Sequence, residues 1–128
     1  MILLIDTSTP TCRLTFIDGE SRIDKEWEAN RELAKGMLGY LQSNLEELNV
    51  TWGDLTGIVA FRGPGSFTGL RIGLTVVNTI ADAQQIPIVG AIGDTWQETG
   101  LVRLEADEND HIVLPEYGAE ANITTPRK

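Results

Sequence analysis

The stretch FRGPGSFTGLRIGL, residues 61–74, joins a buried apolar run to a long helical pattern and decides the fold class. Residues 57–61 before it are typical of a buried strand, and apolar side chains recur at helical spacing from about 67 to 84. Pro87 ends that helix, and a further short apolar run begins another strand at residue 88. Because strands joined through a helix crossover run parallel, the segment predicts part of an α/β fold.

Three more strands and a helix are predicted upstream of this unit. Residues 2–6 form a short apolar run, residues 12–17 and 21–27 alternate, and Asp18-Gly19 is typical of a hairpin turn. Apolar residues at spacings of three and four predict a first helix between about 32 and 48. The order βββαβαβ predicts a mixed sheet with covering helices, the arrangement of the ribonuclease-H-like or actin-like (ASKHA) core.

The chain length is that of one domain. Residues 1–104, ending in a short helix from 94, are predicted to form a single actin-like lobe. Residues 105–128 are predicted to contain a solvated acidic turn up to Asp110, a short strand at 111–114 and a weakly ordered C-terminal tail.

Composition excludes several classes of protein. The formal charge of −9 repels nucleic-acid backbones, so direct strong nucleic-acid binding is not expected, although acidity for solubility explains the charge equally well. No apolar run approaches the ~20 residues of a membrane span. Asp6 interrupts the apolar start, so no secretory signal is expected, and Cys12 as the only cysteine fits a reducing, cytoplasmic location.

The second helix carries two apolar stripes roughly 130° apart by helix geometry. One contains Leu70, Leu74, Val77 and Ala81, and the other contains Ile72, Val76, Ile80 and Ala83. One stripe can cover the sheet, so the other is predicted to meet the first helix or another subunit. Gly69 and Gly73 permit close backbone approach, either to a partner or to the chain's own sheet.

Both helices together indicate an exposed apolar patch for a partner. Its predicted residues are Leu33, Met37, Leu41, Leu70, Leu74 and Val77. The sequence leaves open which stripe faces outward. In isolation such a patch is expected to bury itself by homodimerisation across a two-fold axis.

The glycine loop fits no phosphate-binding fingerprint. The spacing of its glycines, at Gly63, Gly65 and Gly69, is one residue longer than the G-x-G-x-x-G spacing of the dinucleotide-binding turn. It lacks the Lys-Ser/Thr pair of a P-loop, and Pro64 removes one backbone N–H. The helix start, with Ser66 or Thr68 as N-cap, could hold an anion, but a turn that fixes the strand–helix junction is favoured.

Catalytic and metal-binding residues are sparse. Asp6, before Thr7 and Ser8, stands where actin-like and nuclease folds use a carboxylate for a metal, yet Glu32 is its only evident companion. A turn or cap role is therefore favoured for Asp6. His111 is the only histidine, and there is no metal set or nucleophile–base pair, so no metal site is predicted in this chain alone.

Two of these segments together resemble the TsaB family, also called YeaZ. They are Ile2–Thr9 (ILLIDTST) and the eleven-residue motif GPGSFTGLRIG, and IPIVG at 86–90 is similar to the family's next strand. The motif contributes Gly63, Pro64, Gly65, Ser66, Phe67, Thr68, Gly69, Arg71 and Gly73. The resemblance covers roughly residues 1–93.

The resemblance implies an actin-like scaffold that performs no transfer itself. Such proteins pair through their two first-lobe helices with TsaD, which holds the metal and transfers threonylcarbamoyl to the adenosine beside the tRNA anticodon. TsaE, an ATPase, is a further expected partner. ATP and metal are thus expected on partner subunits, with no cofactor in this chain.

The family usually continues into a second lobe, which is not expected in this chain, and 114–128 resembles the family's C-terminal stretch. An internal deletion is therefore expected, and no site that needs an interlobe cleft is expected. Asp6, Thr7 and Ser8 would be a residual phosphate- or metal-type position.

Two alternatives to the scaffold remain. One is a ribonuclease-H-like nuclease using Asp6 and Glu32 with Mg²⁺, which lacks a third carboxylate. The other is an M22-type peptidase-like protein, which lacks a nucleophile–base pair or metal set.

Overall fold

The computed structural model describes residues 1–116 as a five-stranded sheet with helices on both faces. The strands are β1 (Ile2–Asp6), β2 (Thr11–Asp18), β3 (Ser21–Glu28), β4 (Gly57–Phe61) and β5 (Ile88–Ala91). The α-helices of this part are α1 (Leu33–Glu47), α2 (Phe67–Gln84) and α3 (Trp96–Glu105). Two 3-10 turns, Asn30–Glu32 and Trp52–Asp54, precede α1 and β4 respectively.

The sheet is mixed, in the order β3-β2-β1-β4-β5. β1, β2 and β3 pair antiparallel, and the two-residue turn between β2 and β3 places Gly19 at φ 63°, a conformation that glycine adopts at no steric cost. β1–β4 and β4–β5 pair parallel, because α1 and α2 carry the chain across the sheet between them. The predicted mixed sheet is confirmed, and β3 lies at one edge of it.

Alternating strand side chains divide the core into two layers. On one face, α1 and α2 pack on Leu3, Ile5, Phe16 and Ile58. On the other face, α3 packs on a smaller cluster formed by Leu4, Val59 and Val89. α3 lies so close to the sheet that a Cβ on Gly100 would overlap the Val59 side chain. None of the helices within residues 1–116 is long and apolar enough to cross a membrane.

Residues 107–116 run as a strap along the free edge of β5. The Ile88 carbonyl accepts from the Asp110 N–H at 2.8 Å, and the Gly90 N–H donates to the Asp110 carboxylate at 2.8 Å. Arg103 on α3 forms ion pairs with Glu108 and Asp110. The prediction of a merely solvated acidic turn is wrong for Asp110, whose carboxylate closes hydrogen bonds that an edge strand would leave open.

The short strand predicted at 111–114 does not form. The Asn78 amide group brackets Val113, accepting from its N–H and donating to its carbonyl, both at 2.9 Å. A side chain thus takes the place of a neighbouring strand, and Ile112 and Leu114 stay exposed. The strap also packs on the lobe, since the Glu116 N–H donates to the Arg62 carbonyl at 2.7 Å, so the contacts of the lobe continue past residue 104. The predicted tail, from 117 onward, lies outside the described residues.

Candidate functional site

The glycine motif packs directly on the turn that follows β1. A Cβ on Gly65 would overlap Ser8, and a Cβ on Gly69 would overlap the Thr7 carbonyl oxygen. A Cβ on Gly73, one helical turn further, would overlap the Thr7 side chain. The two quoted segments therefore belong together physically, because the glycines remove the side chains that would keep α2 away from residues 7–8. Gly69 and Gly73 thus pack within the chain, on the turn after β1 rather than on the sheet itself.

Hydrogen bonds fix this junction from both sides. Thr7 Oγ1 donates to the Gly69 carbonyl at 2.8 Å, and the Ser66 N–H donates to the Ser8 carbonyl at 2.9 Å. Ser66 is the N-cap, since its Oγ accepts from the Gly69 N–H at 3.3 Å. Gly63, at φ 137°, accepts from the Gly93 N–H at 3.1 Å. The loop fixes the strand–helix junction, as the sequence favoured.

Asp6 forms a local turn at the end of β1. Its Oδ1 accepts from the Ser8 N–H at 2.8 Å, the arrangement in which an aspartate caps the backbone two residues on. Within residues 1–116 there is no group of three or more His, Cys, Asp and Glu side chains that could hold a metal ion. Cys12 is buried, and burial, with a smaller contribution from the Asp6 charge, raises the pKa of its thiol to about 12.

The six residues predicted as a partner interface lie in the core instead. Leu33, the most exposed of them, keeps only 6% of its surface accessible. These are the members of the predicted patch: Leu33, Met37, Leu41, Leu70, Leu74 and Val77. They lie on the stripes of α1 and α2 that face the sheet, so these stripes do not form the exposed surface of the two helices. Of the six, only Leu33 also lines a hollow of the groove described below. The prediction that these six form an exposed surface is wrong.

The outward surface of α1 and α2 is built from the other stripe and its neighbours. Ile72 and Val76 are half-buried, while Leu38 and Phe67 keep 56% and 46% of their surface exposed. Ile80 of the same predicted stripe is buried and Ala83 is exposed. The apolar face of α1 and α2 that stays at the surface is therefore this one, towards the N-terminal ends of the two helices.

Two adjoining hollows, of about 560 Å³ and 390 Å³, mark this surface, and both are lined by Thr68 and Ile72. We call them together the α1–α2 groove, which is lined by Thr9, Pro10, Asn30, Arg31, Leu33, Ala34, Ser66, Thr68, Gly69, Arg71, Ile72, Thr75 and Val76. Leu33 is thus also part of the groove floor. The second apolar stripe on α2 was visible in the sequence, but the sequence did not show which of the two stripes faces away from the sheet.

Comparisons with known proteins point to one group. Residues 27–91 match the family model described as TsaD: tRNA N6-adenosine threonylcarbamoyltransferase. The chain is 29% identical over 112 residues to the tRNA threonylcarbamoyladenosine biosynthesis protein TsaB of Escherichia coli (strain K12), covering 82% of this chain and 48% of that protein. The protein of the same name from Bacillus subtilis (strain 168) is 34% identical over 89 residues, covering 68% and 38%.

Solved structures agree with these relatives. YeaZ from Pseudomonas aeruginosa superposes with a TM-score of 0.67 at 28% identity, covering 77% of this chain and 49% of that chain. A Pseudomonas aeruginosa protein described as similar to peptidase YEAZ gives a TM-score of 0.67 at 31% identity, covering 71% and 42%. The chain spans about half the length of the relatives it matches. The predicted actin-like α/β fold is confirmed.

Proposed function

Because the chain belongs to the TsaB (YeaZ) family, we propose that it is a non-catalytic subunit that pairs with a TsaD-type threonylcarbamoyltransferase. The pair would modify the adenosine beside the tRNA anticodon. TsaD would supply the metal and the transfer chemistry, and this chain would supply a docking surface that holds TsaD in its active form. TsaE, with its ATP, would join the pair once it has formed.

The α1–α2 groove is the observation that carries the proposal. Its lining includes the half-buried Ile72 and Val76. Two exposed apolar side chains adjoin it: Leu38, one helical turn after Ala34, and Phe67, whose ring lies against Arg71. A groove with apolar anchors at its centre and polar side chains around it is the usual composition of a protein–protein interface. A helix or loop of the partner that fills it would remove these side chains from water.

The lack of a catalytic constellation in the described part supports a scaffold over the alternatives. The nuclease alternative needs Asp6 free to bind Mg²⁺, whereas Asp6 accepts a backbone hydrogen bond and has no metal-binding group of three around it within residues 1–116. The peptidase alternative needs an activated nucleophile, and the thiol of Cys12 is buried with a raised pKa.

Co-expression with TsaD from the same source tests the proposal. Complex formation is measured by light scattering after size exclusion, and threonylcarbamoyladenosine in the tRNA is measured by mass spectrometry. Wild-type chain is expected to form a stable pair and to restore modification in cells that lack their own TsaB. Leu38→Glu places a carboxylate on the exposed face of α1, and it is expected to weaken the pair by about tenfold or more.

Val102→Glu is the matched control. Val102 lies on α3, on the other side of the sheet, and is 62% exposed, close to the value for Leu38. The same charge is thus introduced at a similarly exposed apolar position that does not adjoin the groove. Equal loss of pairing in both variants, or a wild-type chain that neither binds TsaD nor restores modification, would refute the proposal.

A further inference from the structure

The basic side chains of the described part divide into two sets. Arg127 and Lys128 lie outside it, and five of the other basic residues form ion pairs: Arg13, Arg22, Lys25, Arg62 and Arg103. Within residues 1–116, the remaining three have no carboxylate within ion-pair distance: Arg31, Lys35 and Arg71. In a chain of net charge −9, three cations that have no carboxylate partner among residues 1–116 are unexpected.

All three cations lie at the α1–α2 groove or beside it. Arg31 lines the larger hollow and Arg71 lines the smaller one. The Arg71 guanidinium lies over the Phe67 ring, 5.3 Å from its centre, so that it is held at the edge of the groove. Lys35 directly follows Ala34, whose side chain lines the smaller hollow, and Lys35 is exposed.

Acidic residues are scarce at the same place. In segments 31–38 and 66–79, which form this part of α1 and α2, Glu32 is the only carboxylate among the nineteen of the chain. The groove therefore has an apolar floor and a positive rim on an otherwise acidic protein. Charges within about 10 Å of each other interact at physiological salt, so the rim selects the partner locally in spite of the net charge.

We infer that the α1–α2 groove binds an acidic protein segment, with an apolar ridge that fills the groove and Asp or Glu side chains that pair with Arg31, Lys35 and Arg71. The inference rests on the proposed function and specifies the chemistry of the TsaD surface that docks here. Each of the three cations gains a carboxylate in the complex, and the apolar floor determines the register.

Two other occupants fit less well. A nucleic acid would gain only three phosphate contacts, would cover an apolar floor and would be repelled by the net charge. A second copy that seats its own groove over this one would bring the same cations of both copies together, because a two-fold contact pairs each patch with itself. Like charges facing each other across an interface oppose association.

The test is the salt dependence of binding to purified TsaD from the same source, measured by calorimetry. Binding is compared at about 50 mM and about 500 mM NaCl, because a tenfold change in ionic strength strongly changes the screening of charges. Wild-type affinity is expected to fall as salt rises. Arg31→Gln, Lys35→Gln and Arg71→Gln are each expected to lower low-salt affinity by up to about fivefold. The triple variant is expected to lose most of the salt dependence.

Arg13→Gln is the matched control. It removes one exposed cation on the opposite face of the sheet, where Arg13 pairs with Glu26, and it should leave the affinity unchanged within about twofold. All substituted side chains are at the surface, and circular dichroism confirms that each variant is folded.

The outcomes separate the inference from the proposed function. If TsaD does not bind at either salt concentration, the proposed function fails. If TsaD binds equally well at both concentrations and to the triple variant, only the acidic-segment inference fails. The inference is also overturned if tRNA alone binds and loses binding in the triple variant, or if the isolated chain dimerises at low salt through the three cations.

Discussion

Gly73→Ala tests how closely α2 packs on the turn after β1. Gly73 is buried in the middle of α2, and the added methyl group would overlap Thr7 Oγ1 and approach Cγ2 to 2.7 Å. Thr7 is only 3% exposed and donates to the Gly69 carbonyl, so it cannot turn away without losing that hydrogen bond. Either α2 shifts away from the sheet, or Thr7 changes rotamer.

Three contributions set the expected change in the free energy of unfolding, two of them destabilising and one stabilising. Overpacking of a close-packed site costs about 1–3 kcal/mol. Loss of the Thr7 hydrogen bond adds about 1 kcal/mol. Alanine in place of glycine within a helix stabilises the folded state by about 1 kcal/mol. The free energy of unfolding is therefore expected to fall by about 2 kcal/mol, the balance of those contributions.

Gly39→Ala is the matched control for helix propensity. Gly39 lies within α1, and a Cβ there has nothing within 4 Å, so only the propensity gain should remain. That variant is expected to be more stable than wild type by about 0.5–1 kcal/mol. Urea unfolding followed by the fluorescence of the three tryptophans measures all variants.

A double substitution locates the clash. Thr7→Ala removes both Thr7 atoms nearest to the added methyl group, so Gly73→Ala combined with Thr7→Ala should be less destabilised than the sum of the single changes by about 1 kcal/mol. If Gly73→Ala proves as stable as Gly39→Ala, or if the two changes at positions 7 and 73 are additive, α2 does not pack on Thr7 as described.

Two further predictions concern buried or paired groups. Hydrogen bonds from Arg103 and, to a lesser extent, from the Gly90 N–H hold the pKa of Asp110 below its usual range, so this pairing stabilises the fold above the unfolded pKa of about 4 and is lost as pH falls through the lower folded value. Arg103→Gln should lower the free energy of unfolding by about 1–2 kcal/mol at pH 7, a range that allows for the partial exposure of the pair. Urea titrations should show a smaller difference between variant and wild type at pH 3. An equal difference at both pH values would contradict the pairing. Cys12, 1% exposed with its thiol pKa raised to about 12, should react with Ellman's reagent at pH 8 only after unfolding in urea, and rapid labelling of the native protein would count against its burial.

Local pattern was sufficient for the order of the elements. Short apolar runs, alternation and helical spacing predicted five strands and two of the α-helices within a few residues of their observed bounds, and the short helix predicted from residue 94 corresponds to α3. These signals are local, because a strand alternates with period two and a helix with period 3.6 whatever surrounds them. The glycine motif and the segment Ile2–Thr9 likewise carried the family resemblance as plain sequence.

Tertiary structure alone decided the rest, because it depends on contacts between distant residues. α2 has two apolar stripes, and only the orientation in which it packs on the sheet determines that Leu74 is buried while Ile72 lines the groove. Val113 was predicted to lie in a strand, but its backbone bonds to the Asn78 side chain, and no hydrophobic pattern encodes such a pairing. The motif glycines pack on Thr7 and Ser8, about sixty residues earlier in the chain, and the sequence alone does not show this contact. The sequence thus determined most of the elements, and packing determined which of their faces stay exposed.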